Sequence, residues 1–357
     1  MNGFPIFVVR NCTSGGCATL HAKEGRHGHV SLLEEHPYVG RHCESTTLVN
    51  LLRQREVDLS EPLVFGLAGG LSFIYWRTKQ MPTPFVGGRI KPDTLSDNLA
   101  KTLNLRMSVH ETSSVKRARE HLLEELDSGT VVGLKLDRYF LDYSTDDFRF
   151  AAHYVACVGH EDDRFALVET QPLGLQWASG ESLATARNAR GPMSSRHRAF
   201  TVDRPKGGLP DLGEAARKGI RTAAENFLNP PISNFGFRGM HKVADLMPQW
   251  LDDLDSPADS LPEICTIMED AGTGGGLFRT MWAEFLAETA DITGTGEFRE
   301  VSEAYRQVSK KWTEVAGLLH EAGAASSRES LHSASKLVHE AADEEQHLMR
   351  RLLELSS

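Results

Sequence analysis

A tight glycine turn that runs straight into a helix is the feature that most constrains this chain. Gly40-Arg41-His42 leads into Cys43-Glu44-Ser45-Thr46-Thr47-Leu48-Val49-Asn50-Leu51-Leu52. The aliphatic residues fall at helical spacing, which predicts a helix from Cys43 to about Arg55 with Leu48, Leu51 and Leu52 on a buried face. Cys43 stands at its first position. Unpaired backbone N–H groups and the positive end of the helix dipole gather there and favour a thiolate over a thiol. A cysteine so placed is a candidate nucleophile. The same segment is also compatible with a small buried hydrophobe at a helix start.

A second constellation lies about a hundred residues on. Ala151-Ala152-His153-Tyr154-Val155-Ala156-Cys157-Val158-Gly159 reads as a strand. Glu161-Asp162-Asp163 makes a turn, and Arg164-Phe165-Ala166-Leu167-Val168-Glu169 reads as the paired strand, closed by Thr170-Gln171-Pro172. Such a hairpin brings His153 and Glu169 to the same open end. A carboxylate there can fix the imidazole tautomer, and the imidazole can take a proton from a thiol. A satisfied strand histidine and a solvated glutamate are the plainer alternatives. Cys43 at a helix start, His153 on a later strand and Glu169 on the next form a coherent nucleophile, base and acid set.

That order resembles the papain-like arrangement. Gly40-Arg41-His42-Cys43-Glu44-Ser45-Thr46, followed by its aliphatic helix, resembles the N-terminal domain of the butirosin-biosynthesis protein H family. Further matches are Leu63 to Phe73, Asp137-Arg138-Tyr139-Phe140-Leu141-Asp142-Tyr143, and the His153 strand ending in Gly159. Gly272-Thr273-Gly274-Gly275-Gly276-Leu277-Phe278-Arg279 matches the signature of the family's C-terminal helical domain. The likeness spans roughly residues 32 to 355. It implies acyl transfer: an acyl or aminoacyl group held as a phosphopantetheine thioester on an acyl carrier protein passes to an amine or hydroxyl of a small-molecule acceptor. Glu169 stands where Asp is expected in most relatives, and the first thirty residues have no counterpart. No organic cofactor or metal is required for such chemistry.

Papain-like enzymes often place a Gln before the nucleophile to help bind the oxyanion. The segment Glu34-Glu35-His36-Pro37-Tyr38-Val39 has none. The Cys43 N–H is the expected donor, and His36 is a candidate second. Arg187, Arg190, Arg196 and Arg198 form a basic stretch on a chain of net charge −10. It is a candidate docking face for an acidic carrier protein, or else a scattered solvated face. Gly274 and Gly275 precede a helix near Leu277. Their N–H groups, with Arg279, are candidate contacts for a phosphate, or else a tight helix entry.

The overall charge argues against general nucleic-acid binding. No apolar run approaches the roughly 20 residues of a membrane span. The first residues lack the basic region of a signal peptide. Five cysteines at irregular spacing suit a reducing, cytoplasmic setting better than a disulfide framework. Cys12 and Cys17, with His21, His27 and His29, make a weak metal pattern. Glu329-x-x-His332 and Glu344-x-x-His347 match di-iron spacing, but both fall on one predicted helix and read as a charged face.

Between these motifs, Thr94 to Leu103 reads as a helix capped by Asp93. Ser114 caps a helix through Leu126, Val131 to Leu136 is an inner strand, and Gly87-Gly88 marks a loop. Gly66, Gly69 and Gly70 read as points where backbone passes close to the nucleophile's helix or to substrate, or else as plain turn residues. Met240 to Leu254 reads as one amphipathic helix, and three longer helices follow. The expected class is α+β: a papain-like cysteine-enzyme domain followed by an α-helical domain. The divisions are a flexible leader over 1–31, the catalytic domain over 32–204, a linker over 205–212 and the helical domain over 213–357. A hydrolase using the same three residues, acting on a peptide, amide or thioester, is the first alternative. A non-catalytic carrier-binding module is the second.

Overall fold

The computed structural model describes residues 36–79, 81–146, 149–191 and 193–357. The Cys12, Cys17, His21, His27 and His29 pattern and the leader over 1–31 lie outside the described residues. Helix α1 (Cys43–Gln54) begins at the predicted cysteine. Its N-cap is His42, whose ring nitrogen accepts from the Ser45 N–H, with Glu44 in the first turn. Burial is not confined to one face: every residue from Glu44 to Leu52 is buried. A helix surrounded on all sides is buried all round, and its polar members are each bonded. Asn50 holds Tyr38 through both its N–H and its carbonyl.

The Leu63–Leu67 run lies in a second helix, α2 (Glu61–Leu67), capped by Ser60. Strands β1 (Leu71–Trp76) and β2 (Phe85–Arg89) form a two-stranded antiparallel ribbon. Gly87 and Gly88 are therefore strand residues and not a loop. A Cβ at Gly88 would stand 2.2 Å from the Leu277 carbonyl oxygen, so the glycine admits another backbone. Helix α3 (Thr94–Thr102) follows. Asp93 precedes it without capping it; its carboxylate instead receives Lys135 and Tyr154.

The larger sheet is antiparallel and six-stranded. Its members are β3 (Arg106–His110), β4 (Val132–Leu136), β5 (His153–Glu161), β6 (Arg164–Val168), β7 (Leu175–Ser179) and β8 (Ala199–Asp203), in the order β3-β8-β4-β5-β6-β7. Helices α4 (Val115–Asp127) and α5 (Gly180–Arg187) cover one face. Alternation along β5 divides the core: Val155 and Cys157 join the cluster under α4 and α5, while Tyr154, Ala156 and Val158 join the cluster that includes α1. Strand β7 was not anticipated from sequence.

No regular element joins Asp203 to Leu212. Beyond lie α6 (Leu212–Leu228), α7 (Gly236–Leu246), α8 (Trp250–Asp253), α9 (Pro257–Glu269), α10 (Arg279–Thr293), α11 (Glu297–Ala325) and α12 (Arg328–Leu355). The expected single helix over Met240–Leu254 is broken into α7, a 3₁₀ turn containing Pro248, and α8, because proline removes a helical N–H. Helix α9 was not anticipated. The molecule is thus a mixed α/β protein with an N-terminal sheet region and a C-terminal helical region. Its main apolar cluster is continuous from Leu48 in α1 to Leu352 in α12. The close glycines serve this packing. A Cβ at Gly66 would fall 2.0 Å from the Phe285 ring, and Gly69 lies against Thr222 and Gly219. These glycines admit the helical region and not substrate or α1.

Candidate functional site

The turn Gly40-Arg41-His42 delivers Cys43, half-buried, to the first position of α1. His153 opens β5 opposite Leu136 of β4, and Glu169 follows the last residue of β6. His153 Nε2 lies 2.8 Å from Glu169 Oε2. The Cys43 sulfur and the His153 imidazole lie close enough for each to shift the other's charge. The fold brings Cys43, His153 and Glu169 together as a connected set.

Their electrostatics reinforce one another. Burial works against a charged His153, yet the Glu169 carboxylate and the Cys43 sulfur outweigh it and push the imidazole up to about 10. Burial would raise the Cys43 thiol, but the hydrogen bond and charge of His153, aided by Arg89 and the Tyr154 N–H, draw it below the usual thiol value. Glu169 is fully buried, which would raise it; the His153 charge, Arg138 and the Tyr143 hydroxyl hold it below the ordinary carboxylate range instead. The stable combination is a thiolate beside an imidazolium. Of the three described cysteines only Cys43 is lowered. Burial pushes Cys157 up to about 12 and Cys265 up to about 11.

A second imidazole adjoins the cysteine and behaves oppositely. His42 is buried, and burial, Arg89 and His153 hold its pKa well below the usual histidine value. It has no carboxylate of its own, and its ring meets Phe278 edge-on at 5.2 Å. His153 is therefore the imidazole able to share a proton with Cys43.

Residues around this set were not legible as site residues. Tyr143 donates its hydroxyl to Glu169 Oε1 at 2.8 Å. Arg138 stands 4.0 Å from Glu169 Oε2 and is itself held by Asp146 at 2.6 and 2.7 Å. Both lie in the Asp137–Tyr143 segment, whose sequence shows aromatic and polar character but not the partner it folds against. Glu44, next to Cys43, is buried and receives Arg89 and Ser96.

Other expected site residues are elsewhere or otherwise engaged. His36 is exposed at the edge of the described segment. The basic stretch is not one surface. Arg187 is buried and donates to the Ala118 and His197 carbonyls; Arg198 is buried and pairs with Asp93 and Glu111. Only Arg190 and Arg196 are exposed, and Arg196 lies 3.7 Å from Glu111. A docking face built from all four is overturned by that burial. The phosphate reading of Gly274, Gly275 and Arg279 fails for a similar reason. The Gly275 N–H donates to Thr273, and the following Gly276 N–H donates to the Glu269 carboxylate at 3.0 Å. Arg279 is fully buried, paired with Glu345 and stacked over Trp312. The loop already satisfies itself with an internal anion.

Residues 42–170 match the family model described as butirosin biosynthesis protein H, N-terminal. This part of the chain is similar to that family. Cys43, His153 and Glu169 all fall within the matched residues. Residues 181–352 match a domain of unknown function (DUF4872), which takes in the helical region. No curated protein matches the chain. That family is named for a protein of butirosin biosynthesis. No described helix is long and apolar enough to cross a membrane. Among the described residues, no group of three or more His, Cys, Asp or Glu side chains is placed to hold a metal ion.

Proposed function

We propose that the protein is a cysteine-dependent acyltransferase that takes an acyl or aminoacyl group from a carrier-protein thioester and passes it to an amine or hydroxyl. The observation that carries this reading is the pairing of a lowered Cys43 with a raised His153 held by a buried Glu169. Cys43 thiolate attacks the thioester carbonyl. As the tetrahedral adduct collapses, the carbon–sulfur bond to the phosphopantetheine arm breaks and the departing sulfur takes the His153 proton. The acceptor then attacks the acyl-cysteine, gives its proton to His153, and releases Cys43 as thiolate. Glu169 keeps the ring oriented and charged between the two halves. The Cys43 N–H, first of the helix and without an intrahelical acceptor, is the oxyanion donor of this scheme. A cysteine at a helix start, a histidine opening a strand and an acid after the next strand also support the papain-like reading of the sheet region.

The test is intact-protein mass spectrometry of wild type and Cys43→Ala mixed with acyl-phosphopantetheine thioesters. A mass gain confined to wild type and discharged by added amines is the expected result. Free acid released by wild type alone, without a transferable adduct, would move the reading to a hydrolase. Neither adduct nor turnover across a broad thioester panel would overturn the carrier-thioester donor.

A further inference from the structure

The turn that presents Cys43 is organised around one buried carboxylate. Glu61, the first residue of α2, is 1% exposed. It accepts the backbone N–H groups of Arg41, at 3.0 and 3.2 Å, and His42, at 2.8 Å. It also accepts the hydroxyls of Ser45 at 2.9 Å and Thr46 at 3.2 Å. Gly40 leaves room for this carboxylate and for Thr46: a Cβ would stand 2.8 Å from both Glu61 oxygens and closer still to the Thr46 hydroxyl. Four donors on one carboxylate would be costly to leave unpaired, so the turn and Glu61 fix each other.

Both sides of this clamp are gripped by α10, in the helical region. Glu284 receives the Arg41 guanidinium as a fork, with Nη1 at 3.2 Å from Oε1 and Nη2 on Oε2. Glu288, one turn along the same face, accepts the Ser60 hydroxyl at 2.8 Å on each oxygen. Ser60 caps α2 and directly precedes Glu61. The glycine loop completes the seat. A Cβ at Gly272 would come 3.2 Å from the Arg41 carbonyl, one at Gly274 would come 3.3 Å from the Arg41 side chain, and Phe278 packs on His42.

We propose that the helical region is a positioning element of the Cys43 site, acting through Glu284 and Glu288 on Arg41 and Ser60 and thence through Glu61 on the turn before Cys43. Glu284, Glu288 and Glu61 bond to Arg41, Ser60 and the turn and not to the sulfur; they are positioning residues. This gives the glycine-rich signature a role in place of phosphate binding, and it rests on Cys43 being the nucleophile proposed above.

The test needs no acyl substrate. The second-order rate of iodoacetamide alkylation at Cys43, mapped by peptide mass spectrometry, is measured against pH for the full chain as wild type, Glu284→Gln/Glu288→Gln and Arg41→Lys. Circular dichroism melts accompany each. Loosening the turn lengthens the contact with His153, so the expected result for the double variant is a rise of about one unit in the apparent thiolate pKa, read as about a ten-fold fall in rate at pH values below the wild-type thiolate pKa, one unit of pKa being ten-fold. Arg41→Lys keeps the charge but loses the fork, and is expected to shift the profile the same way by a smaller factor. It guards against a double variant that fails to fold. Folded variants with the wild-type profile overturn the positioning role. A wild type whose Cys43 alkylates no faster than a free thiol overturns the proposed function instead.

Discussion

At Cys43 the sulfur and the imidazole each set the other's charge, so their titrations belong to the pair. His153 stays charged until about pH 10, while Cys43 loses its proton below the usual thiol range. Iodoacetamide at about pH 6.5, well below the free-thiol value near 8.5, should therefore label Cys43 and spare Cys157 and Cys265. Peptide mapping checks this, and equal labelling of the three would contradict the ion pair. The linkage to stability follows the same signs. A raised His153 contributes fully below the ordinary histidine value and loses that contribution as pH rises toward about 10. The lowered Glu169 contributes above the ordinary carboxylate value and loses it in acid. Glu169→Gln keeps a hydrogen-bond partner for Nε2 but removes the charge. His153 should then fall, the Cys43 pKa should rise, and alkylation at pH values below the wild-type thiolate pKa should slow about ten-fold for each unit of that rise. An unchanged pH profile in the variant would remove Glu169 from the set. Cys43, His153 and Glu169 could be read from sequence because a helix start and two strand ends have strong local signals. Tyr143 and Arg138 could not, since their partner lies across a loop and depends on how that loop folds back.

Elements meet here by close approach, and the glycines mark where. The α2–α10 contact is the sharpest case: a Cβ on Gly66 would stand 2.0 Å from the Phe285 ring, and Phe285 is fully buried. Gly66→Ala overpacks that contact and should cost about 1–3 kcal/mol, read as a lower urea midpoint with unchanged slope. A neutral result would mean that α2 and α10 can separate without loss. Arg279 tests a second junction. Its guanidinium joins Glu345 of α12 at 2.9 Å with both side chains fully buried. Arg279→Met strands the carboxylate and should cost about 3–5 kcal/mol, whereas Arg279→Met/Glu345→Met should recover much of it. A phosphate-binding arginine would predict the reverse, little loss of stability and weaker ligand binding. The sequence marked Arg279 only as a cation after glycines. A motif of glycines before a helix looks the same whether it holds a phosphate or a neighbouring loop. What decided it was the partner on α12, 66 positions away. Elements β7 and α9 have weak local signals: β7 is only five residues long, and α9 opens on Pro257 and carries Pro262 inside it.

At the scale of the molecule, the Pro205–Pro210 segment looks like a hinge between independent halves, yet the core disregards it. Phe73 of β1 stacks on Trp312 of α11 at 5.7 Å, Phe65 of α2 stacks on Phe278 at 5.4 Å, and all but Phe278 are fully buried. Linker composition reports only the local freedom of the chain. Whether two regions share a core depends on which faces they bury, and the apolar residues of β1 and α2 look the same in sequence whichever neighbour covers them. Removing the helical region would expose those faces. Each large apolar side chain returned to water costs about 1.5–3 kcal/mol, so a handful is comparable with the whole net stability of a domain, about 5–15 kcal/mol. A chain ending at residue 204 should therefore lack a cooperative melt and should bind a hydrophobic dye, while the full chain should unfold in one transition. Circular dichroism and calorimetry on both proteins check this. The truncation also separates two kinds of dependence on the helical region. If the shortened chain melts cooperatively but its Cys43 has lost the low-pH alkylation, the helical region positions the site without being needed for folding. If it melts cooperatively and keeps that alkylation, the helical region is dispensable to both, and the clamp on Arg41 and Ser60 has no bearing on the cysteine.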